Sequence, residues 1–153
     1  IFQFNGTSWV LMQKIVDATG AADDLFGNSV AISGNYAIVG ARMDDVGAIS
    51  NQGSANTYQF NGTGWVLMQK LTDPAGSANE LFGYSVSLSG NYAVIGAALG
   101  KVGANVQQGY ADVYQLSAGV WIFFQKLTDP AGTGGADFGN SVSISGNTII
   151  VGA

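Results

Sequence analysis

Asp17, Asp73 and Asp129 stand 56 residues apart, and so do Lys14, Lys70 and Lys126. A recurring carboxylate suits general acid or base work, and a recurring ammonium suits an anionic ligand. Two adjacent pairs, Asp23 with Asp24 and Asp44 with Asp45, each offer two oxygens toward the roughly 6–8 that a calcium ion takes. Trp9, Trp65 and Trp121 keep the same spacing and, with Tyr58 and Tyr114, offer flat faces of the kind that stack on sugar rings. No histidine or cysteine accompanies them, which excludes histidine-based triads, thiol nucleophiles, Cys/His zinc sites and disulfides.

Each candidate also has a purely structural reading. An Asp at the end of a strand caps the following turn, and in two copies Pro74 and Pro130 fix the backbone beside it. A lysine on an outermost strand blocks sheet-to-sheet aggregation. The tryptophans fill a hydrophobic rim. The acidic pairs read as solvated loop charge, because their counterparts (Asn79 and Gly135 for Asp23, Glu80 and Ala136 for Asp24, Gly100 and Lys101 for Asp44 and Asp45) do not keep the carboxylates. Asn5-Gly6-Thr7 and Asn61-Gly62-Thr63 match a glycan acceptor pattern, but Asn-Gly is equally a tight-turn signal. Nothing pairs a nucleophile with a base, and the expectation is a chain that is not an enzyme and carries no cofactor or confident metal site.

The elements that position these residues follow from the repeat. Residues 1–56 and 57–112 share 32 identities in 56 positions, and the third copy keeps the register. Short segments alternate apolar and polar residues and are bounded by Gly, Asn, Asp and Ser, which predicts strands joined by tight turns. In the central copy these are strand a near Phe82 to Ser89, b near Tyr92 to Ala97, c near Gly109 to Leu116 and d near Trp121 to Asp129. Strand b is apolar almost throughout, so both sheet faces need covering, and face-to-face stacking of neighbouring sheets does that. The fold expected is all-β: β-propeller blades of four antiparallel strands, about three of them. The small residues of strand a belong at the axis and the large ones of c and d at the rim.

The repeat region spans 1–153: strands c and d of a split blade at 1–17, full blades at 26–73 and 82–129, and strands a and b of a split blade at 138–153. Three periods are 168 residues, so the 153 present fall short by one b–c loop. The chain is therefore expected to be part of a longer repeat protein or to associate with further copies, strand b at Thr148 to Ala153 pairing with a strand c such as Phe2 to Asn5 of a neighbour. Charged residues make up 10% of the chain against roughly 25% in an average soluble one. The net charge of -5 argues against nucleic acid and anionic lipid as partners, and no segment approaches the length of a membrane span or reads as a leader.

The string FGNSVAISGNYAIVGA, with its copies FGYSVSLSGNYAVIGA and FGNSVSISGNTIIVGA, resembles FG-GAP repeats, the blades of integrin-alpha-like propellers and of many bacterial surface proteins. Its markers are Phe26-Gly27 and Gly40-Ala41, Phe82-Gly83 and Gly96-Ala97, and Phe138-Gly139 and Gly152-Ala153. The resemblance implies an extracellular or cell-surface module for adhesion and for protein or glycan contacts. Integrin-type blades often carry an Asp-rich calcium loop between strands a and b; here that connection is only Ser33-Gly34-Asn35 and its copies, so the calcium site has no matching positions and the chain is closer to a short-loop bacterial type. The expected function is thus a non-catalytic binding or adhesion module. The alternatives are a self-assembling structural repeat and, third, a lectin-like sugar binder.

Overall fold

The computed structural model describes residues 1–153 and contains only strands. No helix is long and apolar enough to cross a membrane. A short hairpin, β1 (Phe2–Phe4) with β2 (Trp9–Leu11), comes first. Two four-stranded antiparallel meanders follow: β3 (Phe26–Ser33), β4 (Tyr36–Ala41), β5 (Ser54–Phe60) and β6 (Trp65–Leu71), then β7 (Phe82–Ser89), β8 (Tyr92–Ala97), β9 (Tyr110–Ser117) and β10 (Val120–Leu127). The chain ends in the hairpin β11 (Ser141–Ser145) and β12 (Thr148–Gly152). These are the blades anticipated from the repeat, with strand d of both full blades ending two residues early, at Leu71 and Leu127, and with shorter strands in the half-blades, where β2 stops at Leu11 and β11 starts at Ser141. The sheets stack but do not close into a ring.

Local chemistry explains the hairpins. At the c–d tip, the Asn5 Oδ1 accepts hydrogen bonds from the Thr7 N–H (3.0 Å), the Thr7 hydroxyl (2.9 Å) and the Ser8 N–H (2.9 Å). Asn61 does the same for Thr63 and Gly64. Turn closure therefore accounts for these asparagines in full. Asp17, Asp73 and Asp129 likewise accept the N–H two residues on, at 2.9, 2.8 and 2.9 Å, and so cap the turn after strand d.

The Phe-Gly and Gly-Ala markers are two halves of one contact. Gly40 on β4 lies so close to the Gly83 carbonyl of the next blade that a Cβ would collide with it, and Gly96 meets the Gly139 carbonyl in the same way. The same carbonyls accept hydrogen bonds from the hydroxyls of Ser29 (2.8 Å) and Ser85 (2.7 Å). Close backbone approach thus stacks β3 on β7 and β7 on β11, placing the a strands at the axis. Phe82 is fully buried in the main core with Ile38, Val86, Leu88, Ile95 and Trp121.

Candidate functional site: buried ionic junctions and two open blade faces

Strands c and d of the second blade, together with the loop that enters it, enclose an ionic cluster. The Lys126 ammonium lies 2.7 Å from Asp73 Oδ2 and 3.4 Å from Asp112 Oδ1, above the Tyr110 ring at 3.0 Å from its centroid. The Tyr110 hydroxyl donates to the Asp73 carboxylate and lies 2.9 Å from Glu80 Oε2, whose partner oxygen accepts from the Ser77 hydroxyl at 2.9 Å. Asp73 and Glu80 come from the incoming loop, Tyr110 and Asp112 from β9 and Lys126 from β10, so the cluster ties the loop to the blade.

Burial opposes charge on Asp73, but Lys126, the Tyr110 hydroxyl and the Ala75 N–H outweigh it and hold its carboxyl below the ordinary value. Burial, reinforced by Asp73, drives the Tyr110 phenol far up. Asp112 is wholly buried, neither of its oxygens accepts a hydrogen bond, and desolvation, only partly offset by Lys126, pushes its carboxyl up to about 7. An acid whose folded value lies above its unfolded one binds an extra proton in the folded state between the two. Asp112 therefore lowers stability as pH rises from about 4 to about 7. Asn56 holds the equivalent place in the first blade, so Asp112→Asn is expected to fit. It should flatten the melting temperature across that window and raise it at pH 8, as a thermal melt at each pH will show; a variant that melts below the parent at pH 8 would overturn this account.

The first junction solves the same problem with other residues. Lys70 pairs with Asp44 at 2.5 Å, and the Asn56 amide donates to Asp17 Oδ2 at 3.1 Å. Where the second blade has Tyr110, the first has Ser54; where the first has Asp44, the second has Gly100, and a Cβ on Gly100 would run into the Tyr110 ring. Ring and carboxylate occupy the same space in alternate copies. Lys70 and Lys126 do lie on the outermost strands, but their ammonium groups fold inward onto carboxylates instead of standing as free edge charges. The loops that deliver Asp44 and Asp73 make the difference.

The four acidic candidates separate. Asp44 is buried against Lys70, and Asp24 is buried with its Oδ2 accepting from the Ala21 N–H at 2.6 Å. Asp45 is exposed and accepts from the Asn51 N–H at 2.8 Å, and Asp23 is exposed at a left-handed φ of 73°. No three carboxylates have the arrangement to hold a metal ion. Tyr58, Tyr114, Trp65 and Trp121 are buried, which removes them as a sugar-stacking platform, and of the five aromatic candidates Trp9 alone is exposed.

Two open faces remain. The first is a groove of about 610 Å³ where β1 and β2 cover only the rim of the first blade, leaving Val30 and Ile32 of β3 exposed. The second is a smaller opening of about 210 Å³ beside β11 and β12, rimmed by Tyr92, Phe124 and Gln125. Sequence reading placed the half-blades but missed the grip between neighbouring d strands. The Gln13 amide donates to the Trp65 carbonyl (2.9 Å) and its oxygen accepts the Trp65 N–H (2.7 Å); Gln69 clasps Trp121 identically (3.1 and 3.0 Å). The recurring Gln-Lys pairs at 13, 69 and 125 carried that signal.

The sequence matches the family described as FG-GAP repeat over residues 9–58, 65–114 and 121–153, windows that start at the three tryptophans. No curated protein matches the chain.

Proposed function

Because this chain belongs to the FG-GAP repeat family, whose β-propeller blades often serve binding and adhesion, we propose that it is a non-catalytic binding module acting at the cell surface or outside the cell on a protein or glycan ligand. The observation that carries this reading is how the ionisable residues are used. Asp73, Glu80, Tyr110 and Lys126 are engaged with one another inside a junction, where they tie a loop to a blade instead of facing a substrate. In this reading the module needs no cofactor and no calcium.

Two measurements test it. Saturable binding of the purified chain to a defined glycan or surface protein, unchanged by a chelator and accompanied by an unchanged melting temperature, is the expected result. Hydrolase turnover that survives repurification would overturn the non-catalytic reading, and a melting temperature lowered by chelator would overturn the metal-free one.

A further inference from the structure

The outermost strand of the second full blade is β10, and that of the first is β6; neither has a strand on its outer side. Such an edge offers unpaired N–H and C=O groups to any extended chain that meets it. The hazard is greatest on β10. Its residues Val120 to Gln125 read Val-Trp-Ile-Phe-Phe-Gln, six in a row with high strand propensity, no charge and no proline, the composition that stacks strand on strand between molecules. Lys70 and Lys126, whose charge would repel an incoming strand, fold inward onto carboxylates and do not present it along the edge.

The backbone of Trp121 shows what takes their place. Leu116, opposite Trp121, donates its N–H to the Asn91 carbonyl on the far side, so the Trp121 N–H and C=O point out of the sheet edge. There they meet the Gln69 side chain, whose oxygen accepts the N–H at 3.0 Å and whose amide donates to the carbonyl at 3.1 Å. One acceptor and one donor on a single planar amide are what the peptide backbone of a fifth strand would bring. Gln13 holds Trp65 in the same way, and Phe60, opposite Trp65, likewise donates away from it, to Asn35. The stretch left open is short. Alternation makes Phe123, which is exposed, the next residue to face outward, and a bulge at Phe124 then breaks the row; Leu67 and Met68 repeat this in the first blade.

We propose that Gln69 is an edge lock: its side chain stands in for a strand at Trp121 and so keeps the outer edge of the second blade from pairing with strands of other chains. Gln13 does the same for the first blade. The lock joins two blades, so it closes only once they have stacked, which ties protection of the edge to completion of the fold. It goes beyond the binding-module reading and does not depend on which ligand the module takes.

Amide hydrogen exchange of the unsubstituted chain tests the lock first. The Trp121 N–H is expected to exchange about tenfold more slowly than the N–H of Phe123, its unlocked neighbour on the same edge, as one hydrogen bond of ordinary net strength allows. In Gln69→Ala the Trp121 N–H should lose that tenfold protection, and the chain should form sedimenting aggregates severalfold faster than the parent well below both melting temperatures. Adding Phe123→Lys places a charge on the opened edge and is expected to return aggregation to the parent rate. That rescue cannot come from added stability, because the lysine gives up the edge-on contact between the Phe123 and Tyr114 rings. Equal exchange at Trp121 and Phe123 in the parent would overturn the lock. So would a Gln69→Ala chain that stays as soluble as the parent, or one whose aggregation Phe123→Lys leaves unchanged.

Discussion

Gly53→Ala is expected to lower stability by about 3–5 kcal/mol, which for a chain of this size is a fall in melting temperature on the order of 10 °C. Gly53 has a left-handed φ of 85°, which strains any other residue, and a Cβ there would collide with the Phe82 backbone and the Arg42 carbonyl. That collision cannot relax by turning a side chain, because Gly53 forms a parallel bridge with Phe82 and the Phe82 N–H donates to Gln52 at 2.8 Å. The b–c loop of one blade is thereby stitched to the first strand of the next. Gly47→Ala is the control. Gly47 has a φ of 63° with nothing near its missing Cβ, so it tests backbone strain alone, about 1–2 kcal/mol. Urea melts that put the two variants within a few tenths of a kcal/mol of each other would refute the stitch.

Lys126→Met should cost about 2–4 kcal/mol near neutral pH, because it leaves Asp73, Glu80 and Asp112 facing one another without a cation. The Lys126 side chain is about one-third exposed, which places the loss below that of a fully buried pair. The sign with pH follows from the carboxyls. Without Lys126 to hold it down, the Asp73 carboxyl rises, so the variant should regain stability relative to the parent as the solution is acidified. Adding Asp112→Asn to Lys126→Met should restore part of the loss by removing one buried acid, and double-mutant melts measure that coupling directly. A Lys126→Met protein as stable as the parent at pH 7 would show that the cluster is already neutral without the lysine.

Strand positions, hairpin tips and the face-to-face stacking of blades were legible in the sequence because a 56-residue period makes each copy a check on the others. Turn capping by Asp17, Asp73 and Asp129 was legible too, since it is a contact over two residues. The ionic junctions were not. Lys126 reaches Asp73 across 53 residues, and only the fold brings that loop over the end of strand d. Nothing in the sequence marks Asp112 of strand c as isolated, because its burial comes from the covering of both faces of the sheet. The Gln-Trp clasp joins residues 52 apart, four short of the repeat, a spacing that follows from the stagger of neighbouring d strands.

The exchange of Tyr110 and Gly100 for Ser54 and Asp44 bears on how such a chain avoids misfolding. Tandem copies sharing 32 of 56 residues can trade equivalent hairpins while folding, which is the characteristic failure of repeat proteins. A c–d hairpin bearing Tyr110, docked by mistake on the first blade's a and b strands, would drive its ring into the side chain of Asp44. The reciprocal mistake would set Ser54 beside Gly100, leaving a void and stranding Lys70 without its acid. With these two substitutions, each hairpin fits its own sheet better than the nearly identical neighbouring one.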